Sequence, residues 1–142
     1  MSKMQIKTTN NRHEIAKYCK SIQFRHNFKN KNLIDDVFKA LKKDYHLSLG
    51  FDDQKNLIYS CFCHIHYDFF DNKICEIIDF FIDKNAENIE NINQVFNWID
   101  NLTTQYLCHK IKVESLTNDQ QIHRIFTAKK FIIEKYVLTK HL

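Results

Sequence analysis

The sequence predicts a mixed α/β (α+β) fold with a central sheet, and three observations carry that prediction. Residues from Tyr45 to Ile82 have the alternation of strands and are broken by two polar turn clusters. The segments before them repeat apolar residues at helical spacing, and from Asp83 onward helix and strand signals alternate. The implied order is β-α-α-β-β-β-α-β-α-β, in one domain spanning residues 1–142.

Met4 to Thr8 is the first strand. Asn11 followed by Glu14 has the form of a capping box, and Ile15, Tyr18, Cys19 and Ile22 then fall at i, i+3, i+4 and i+7, the stripe of an amphipathic helix. A polar link, Phe24 to Asn30, leads to a second helix with Leu33, Ile34, Val37, Phe38 and Leu41 on one face; Lys39, Lys42 and Lys43 make its solvated side. Tyr45 to Phe51, Leu57 to Phe70 and Lys73 to Ile82 then form two consecutive antiparallel hairpins, turning at Asp52 to Asn56 and at Asp71-Asn72. The third of these strands is nearly continuous in apolar residues, which places it inside the sheet. Past the loop Asp83 to Asn91, residues Ile92, Val95, Phe96, Ile99, Leu102 and Tyr106 give a helix to about Cys108. Lys110 to Leu116 reads as a strand, Asp119 to Lys130 as a helix and Phe131 to Leu138 as a last strand. A helix between two strands of one sheet implies a crossover and a parallel pair, so the sheet is mixed.

Composition narrows the function. With 142 residues, 44% hydrophobic and 12 Phe, the chain can bury one substantial core. The net charge of +4 is spread along the chain, without the concentrated basic stripe of a nucleic-acid binder, so no nucleic-acid partner is expected. No apolar run approaches the ~20 residues of a membrane span, and Met1 to Asn11 is too polar for a secretory signal, which predicts a cytoplasmic protein with no membrane partner. Five cysteines without framework spacing read as reduced thiols in the core. Phosphate-binding loops and dinucleotide fingerprints need several glycines, and Gly50 is the only one, so both are excluded.

The strand-loop-helix from Ile74 to Ile99, ICEIIDFFIDKNAENIENINQVFNWI, is the frame on which many coenzyme proteins hold phosphates at a helix N-terminus. Together with the element order and the block HRIFTAKKFIIEKYVLTKHL from His123 to Leu142, it resembles the GNAT acetyltransferase superfamily, whose members carry an acyl group from acyl-CoA to an amine. The resemblance runs without gaps from Ile77 to Ile99 and implies a GNAT-like mixed central sheet. It places acyl-CoA contacts over Phe81, Ile82, Glu87, Asn88, Glu90, Asn91 and Ile92, with acetyl-CoA as the implied cofactor. It also puts Asp79, at the end of the central strand, in the position of a general base for a small-molecule or protein amine. Glu76 is a second candidate, one pleat earlier and on the opposite face. A carboxylate inside an apolar strand has a raised pKa unless it is paired, which suits that role.

The chain departs from the family at chemically important positions. Glu87 stands where the family's pyrophosphate loop opens with a basic or amide residue, and Glu90 and Ile92 stand where it has glycines. Side chains there block close approach of a pyrophosphate, and two carboxylates repel it. Glu87 and Glu90 suit the helix dipole by themselves, so the anion site is expected to be filled from within. Phe126 aligns with a tyrosine that many members use to protonate the departing thiolate, and it has no proton to give. The alternative to a transferase is therefore a noncatalytic GNAT-fold module that binds a protein or small ligand, with a homodimer among its assemblies. Cys61-Phe62-Cys63-His64-Ile65-His66 has metal-ligand residue types, but strand alternation sends the cysteines to one face and the histidines to the other, so no metal ligands are assigned. Tyr67, Phe69 and Phe70 pack under a loop or form an exposed apolar patch for a partner.

Overall fold

The structure is a computed structural model and describes residues 3–18, 44–114, 119–135 and 137–142. The expected second helix, residues 33–41, and the polar link before it lie outside the described residues. Five strands form one sheet in chain order: β1 (Gln5–Thr9), β2 (Tyr45–Phe51), β3 (Leu57–Tyr67), β4 (Lys73–Ile82) and β5 (Lys110–Val113). The junctions from β1 to β4 are antiparallel and β4 to β5 is parallel, as the intervening helix α2 (Ile89–Gln105) requires.

A first helix, α1, covers residues 12–18. Asn11 caps it: its Oδ1 accepts from the N–H groups of His13 at 2.9 Å and Glu14 at 3.2 Å. The reciprocal arm of the expected capping box is taken by Thr9, whose Oγ1 accepts from the Asn11 N–H at 2.9 Å. α1 lays Ile15 and Tyr18 on one sheet face against Leu47 and Phe62. The other face carries Tyr59, Cys61, Cys63, Ile65, Cys75 and Ile77 under α2 and α3 (Gln120–Ala128). Val95, Phe96, Ile99 and Leu102 are the buried stripe of α2, as their spacing predicts. Gly50 serves this packing rather than a turn: a Cβ there would collide with Met4 Sδ and lie 2.9 Å from Tyr59 Cδ2.

Both hairpin turns are built alike. Asp52 accepts through its carboxylate from the backbone N–H of Gln54 at 2.9 Å and of Asn56 at 2.8 Å, and Lys55 takes positive φ. Asp68 does the same for Phe70 at 2.8 Å and Asn72 at 3.0 Å, with Asp71 at positive φ. Asp68 therefore ends β3 at Tyr67, three residues earlier than the apolar run suggests. Phe69 and Phe70 become the exposed tip of the turn, and Tyr67, at the end of β3, is 64% exposed.

One expected element is corrected. Phe131 to Leu138 forms no strand at its described residues. Lys130, at positive φ, turns the chain out of α3, and Phe131 folds its ring back against Phe126. The segment then passes β5, with Lys110 Nζ 3.5 Å from Glu134 Oε1, but pairs with no strand edge at its described residues, and an apolar segment without a ladder partner does not make a strand. Ile132, Ile133, Val137 and Leu138 remain exposed. No helix among the described residues is long and apolar enough to cross a membrane.

Candidate functional site

The centre of the site is a bulge in β4. Its register against β3 steps from Cys63↔Ile77 to Phe62↔Asp79, so Ile78 is an extra residue, half-exposed and opposite nothing. Strict alternation puts Glu76 and Asp79 on opposite faces; the bulge reverses that expectation. Glu76 opposes His64 and Asp79 opposes Phe62, two residues apart on β3, so the two carboxylates share the face that α1 covers. The same bulge marks the end of the parallel ladder. β4 pairs with β5 from Ile74↔Lys110 to Ile77↔Val113 and then runs five residues further, to Ile82, along β3.

Asp79 is held from α1. Tyr18 Oη lies 2.9 Å from Asp79 Oδ2 and is also hydrogen-bonded to Ser60 Oγ. A phenol has one proton, so in the arrangement that serves all three groups Ser60 donates to Tyr18 and Tyr18 donates to the carboxylate. Ser60 is fully buried and Tyr18 is buried, which makes this a preorganised chain of hydroxyls ending on an acid. Glu76 is placed differently: Oε1 is 3.0 Å from His66 Nε2, and Oε2 is 3.7 Å from Lys112 Nζ. Lys112 also reaches Glu114 at 3.1 Å; that carboxylate, and Glu76 behind it, push the ammonium pKa upward.

The loop after β4 contains a single 3-10 turn, Lys84–Ala86, and α2 begins at Ile89. Asn88 is its cap, accepting from the Asn91 N–H at 2.9 Å, while buried Asn91 donates Nδ2–H to the Ala86 carbonyl at 2.9 Å. These two asparagines thus shape the loop from within. Phe81 is half-buried and Ile82 buried, with the Ile82 carbonyl accepting from Gln121 Nε2 at 3.2 Å. Ile92 packs against the core, and Glu90 is exposed in the first turn. Among the described residues the N–H groups of Ile89 and Glu90 have no protein acceptor, so the helix keeps part of its capacity for an anion.

The expectation that Glu87 fills that anion position is corrected. Its carboxylate is drawn sideways to α3, accepting from Arg124 Nη2 at 2.7 and 2.8 Å and from Gln121 Nε2 at 2.9 Å. Arg124, then Gln121, hold the Glu87 carboxyl below the usual carboxylate range. Because the folded-state pKa is lowered, this stabilisation is present above the ordinary carboxylate pKa and is lost as pH falls through the lowered one. Arg124 is 59% exposed, which limits the pair to about 1 kcal/mol. Arg124→Ala is therefore expected to lower the unfolding free energy by about 0.5–1 kcal/mol at neutral pH, with the difference closing on acidification. Urea denaturation across that range checks this; a difference independent of pH would assign the effect to packing of the arginine stem.

Phe126 is buried among three rings, with centroids 5.1 Å from Phe80, 5.3 Å from Phe96 and 5.0 Å from Phe131. It is a core residue. The thiols of Cys63 and Cys75 are likewise held protonated, by neighbouring sulfurs first and burial next, and offer no nucleophile. A cavity of about 480 Å³ lies elsewhere, between β5 and the C-terminal segment, lined by residues such as Thr103, Cys108, Ile111 and Phe131; none of the expected site residues borders it. Sequence reasoning missed Tyr18 and Ser60 as partners of Asp79. The available signals were a tyrosine on the inner stripe of a helix and a serine in an otherwise core-forming strand.

The fold is the GNAT fold, as its likeness to solved acetyltransferase structures shows. No protein-family model and no curated relative matches the sequence. Solved structures do match. The aminoglycoside acetyltransferase AAC(6')-Iy, in complex with a CoA-containing bisubstrate analogue, superposes with a TM-score of 0.75 at 11% identity, over 99% of each chain. An aminoglycoside 6'-N-acetyltransferase from Acinetobacter baumannii gives 0.74 at 10% identity, covering 99% of this chain and 98% of that one. An aminoglycoside acetyltransferase from an uncultured soil sample, in complex with trehalose, gives 0.69 at 12%, covering 98% and 95%. Identities this low establish the fold alone.

Proposed function

We propose that this chain is a divergent GNAT-fold N-acyltransferase, which moves an acyl group from acyl-CoA, with acetyl-CoA the simplest donor, to a small-molecule or protein amine in the cytoplasm. The observation that carries the proposal is the end of the β4–β5 ladder at the Ile78 bulge, with Asp79 immediately beyond it and the α2 N-terminus at the far end of the same strand. The backbone of Phe81 and Ile82, beyond the last β4–β5 pair at Ile77↔Val113, would border the donor, and the Ile89 and Glu90 N–H groups would face its phosphates. Asp79 would accept the amine proton as nitrogen attacks the thioester carbonyl; the C–N bond forms, the C–S bond breaks, and the thiolate takes its proton from water, since Phe126 supplies none.

A second reading has its own support. Glu90 and Ile92 occupy the first turn of α2, Phe126 is sealed in the core, and two apolar surfaces are exposed, at Tyr67-Phe69-Phe70 and along the C-terminal segment. Those features suit a noncatalytic module that docks a protein or a second copy of itself. Thermal denaturation with CoA and acetyl-CoA separates the two. Ligand at about 100 times its Kd adds about 2.7 kcal/mol to the native state, a shift of a few degrees for a chain of this size. An unchanged melting temperature at millimolar ligand leaves the module reading standing and removes the transferase.

A further inference from the structure

The α1-side face of the sheet carries a second constellation that the transferase chemistry does not use. His64 and His66 alternate onto this face from β3, and Glu76, directly across from His64 on β4, joins them. One ligand atom from each of the three lies within 4.8 Å of the others, and all three side chains are half-buried. Strand alternation does keep Cys61 and Cys63 away, on the opposite face, so the Cys-His run closes no site of its own. The third ligand comes from the neighbouring strand, where no spacing within β3 reveals it.

The donors are held in place before any ion arrives. The His64 ring is stacked between Tyr45, at 4.2 Å and 6° between planes, and His66, at 4.7 Å and 26°. The His66 Nδ1–H donates to the Tyr67 carbonyl at 3.3 Å, which turns Nε2 toward Glu76 Oε1 at 3.0 Å. A backbone carbonyl on the far nitrogen is the partner that orients a metal-bound imidazole. Lys112 occupies Oε2 of the same carboxylate, leaving Oε1 to face the histidines.

We propose that His64, His66 and Glu76 bind one divalent transition-metal ion, of the Zn²⁺ type, through two imidazoles and a carboxylate. Two nitrogens and one oxygen suit Zn²⁺ and its neighbours better than Mg²⁺ or Ca²⁺, which prefer all-oxygen shells. Three protein ligands leave at least one position of a tetrahedral ion open to solvent or to a small molecule, on the face that also carries Asp79. The site stands independently of acyl transfer.

The test is titration of the intact, reduced protein with Zn²⁺ by calorimetry and with Co²⁺ by visible absorption. One ion per chain is expected, with no thiolate-to-cobalt charge-transfer band. His66→Ala and Glu76→Gln should each weaken binding about tenfold or more, comparable to losing a supporting contact at established sites. Lys112→Met removes a competing ammonium while leaving every ligand in place, and should tighten binding; because it deletes no donor, it decides the matter even if a ligand variant fails to fold. The proposal is overturned if His66→Ala and Glu76→Gln bind as the parent does, if Lys112→Met leaves the affinity unchanged, or if binding disappears in Cys61→Ser with Cys63→Ser.

Discussion

Phe126→Ala is expected to lower the unfolding free energy by about 3–5 kcal/mol, measured by urea or thermal denaturation. The ring is 3% exposed and contacts Phe80 from β4, Phe96 from α2 and Phe131 from the C-terminal segment, so it ties three separate pieces of chain to α3. Removing it takes away the transfer free energy of the ring and the edge-to-face contacts, and leaves a void between elements that cannot all collapse together. Against a typical total of about 5–15 kcal/mol, such a loss approaches unfolding. The companion variant, Phe126→Tyr, restores the residue that the family resemblance puts here. A hydroxyl among three aromatic rings has no acceptor in the cluster, so about 1–3 kcal/mol of destabilisation is expected and no gain in acyl transfer. A stable Phe126→Tyr protein with increased turnover would mean that this position opens onto the reacting groups, contrary to its packing.

Most of the fold follows from local pattern, and the differences arise where distant parts of the chain meet. The bounds of β2 and β4 coincide with those expected from periodicity. β3 is shorter than expected because the Asp68 carboxylate satisfies two backbone N–H groups and so competes with the ladder; the apolar run through Phe69 and Phe70 hides that. The last strand fails because a strand exists only with a partner edge. The bulge at Ile78 is invisible to alternation, yet it moves Asp79 onto the face of Glu76, and every statement about which acids act together depends on it. Glu87 adjoins the N-terminus of α2 in sequence, whereas its charge partner, Arg124, lies 37 residues away. Tyr18 and Asp79 are 61 residues apart. The sequence carries the frame; the pairings inside the site are tertiary facts.

Those pairings also set apart the two candidate bases of the proposed reaction. On the transferase reading, Asp79→Asn is expected to reduce kcat/KM by about 10²- to 10⁴-fold, the contribution of a positioned general base, while Glu76→Gln leaves it within a few-fold. Both Glu76 oxygens are already engaged, one by His66 and the other by the Lys112 ammonium. Asp79 instead accepts from the Tyr18 hydroxyl, which positions the carboxylate and continues the hydrogen-bond chain to Ser60. Tyr18→Phe is the control for positioning. It keeps the ring that packs on Leu47 and Phe62 but removes the hydroxyl, leaving buried Ser60 without that partner; about 1–3 kcal/mol of stability should go with it, and turnover should fall less than in Asp79→Asn. Steady-state kinetics on an amine acceptor with acetyl-CoA, read beside denaturation of the same variants, separates a base from a structural acid. If Asp79→Asn loses stability as Tyr18→Phe does but transfers acyl groups at the parent rate, Asp79 is a strut for α1, and the proton acceptor has to be sought at Glu76, the carboxylate that the bulge brought to the same face.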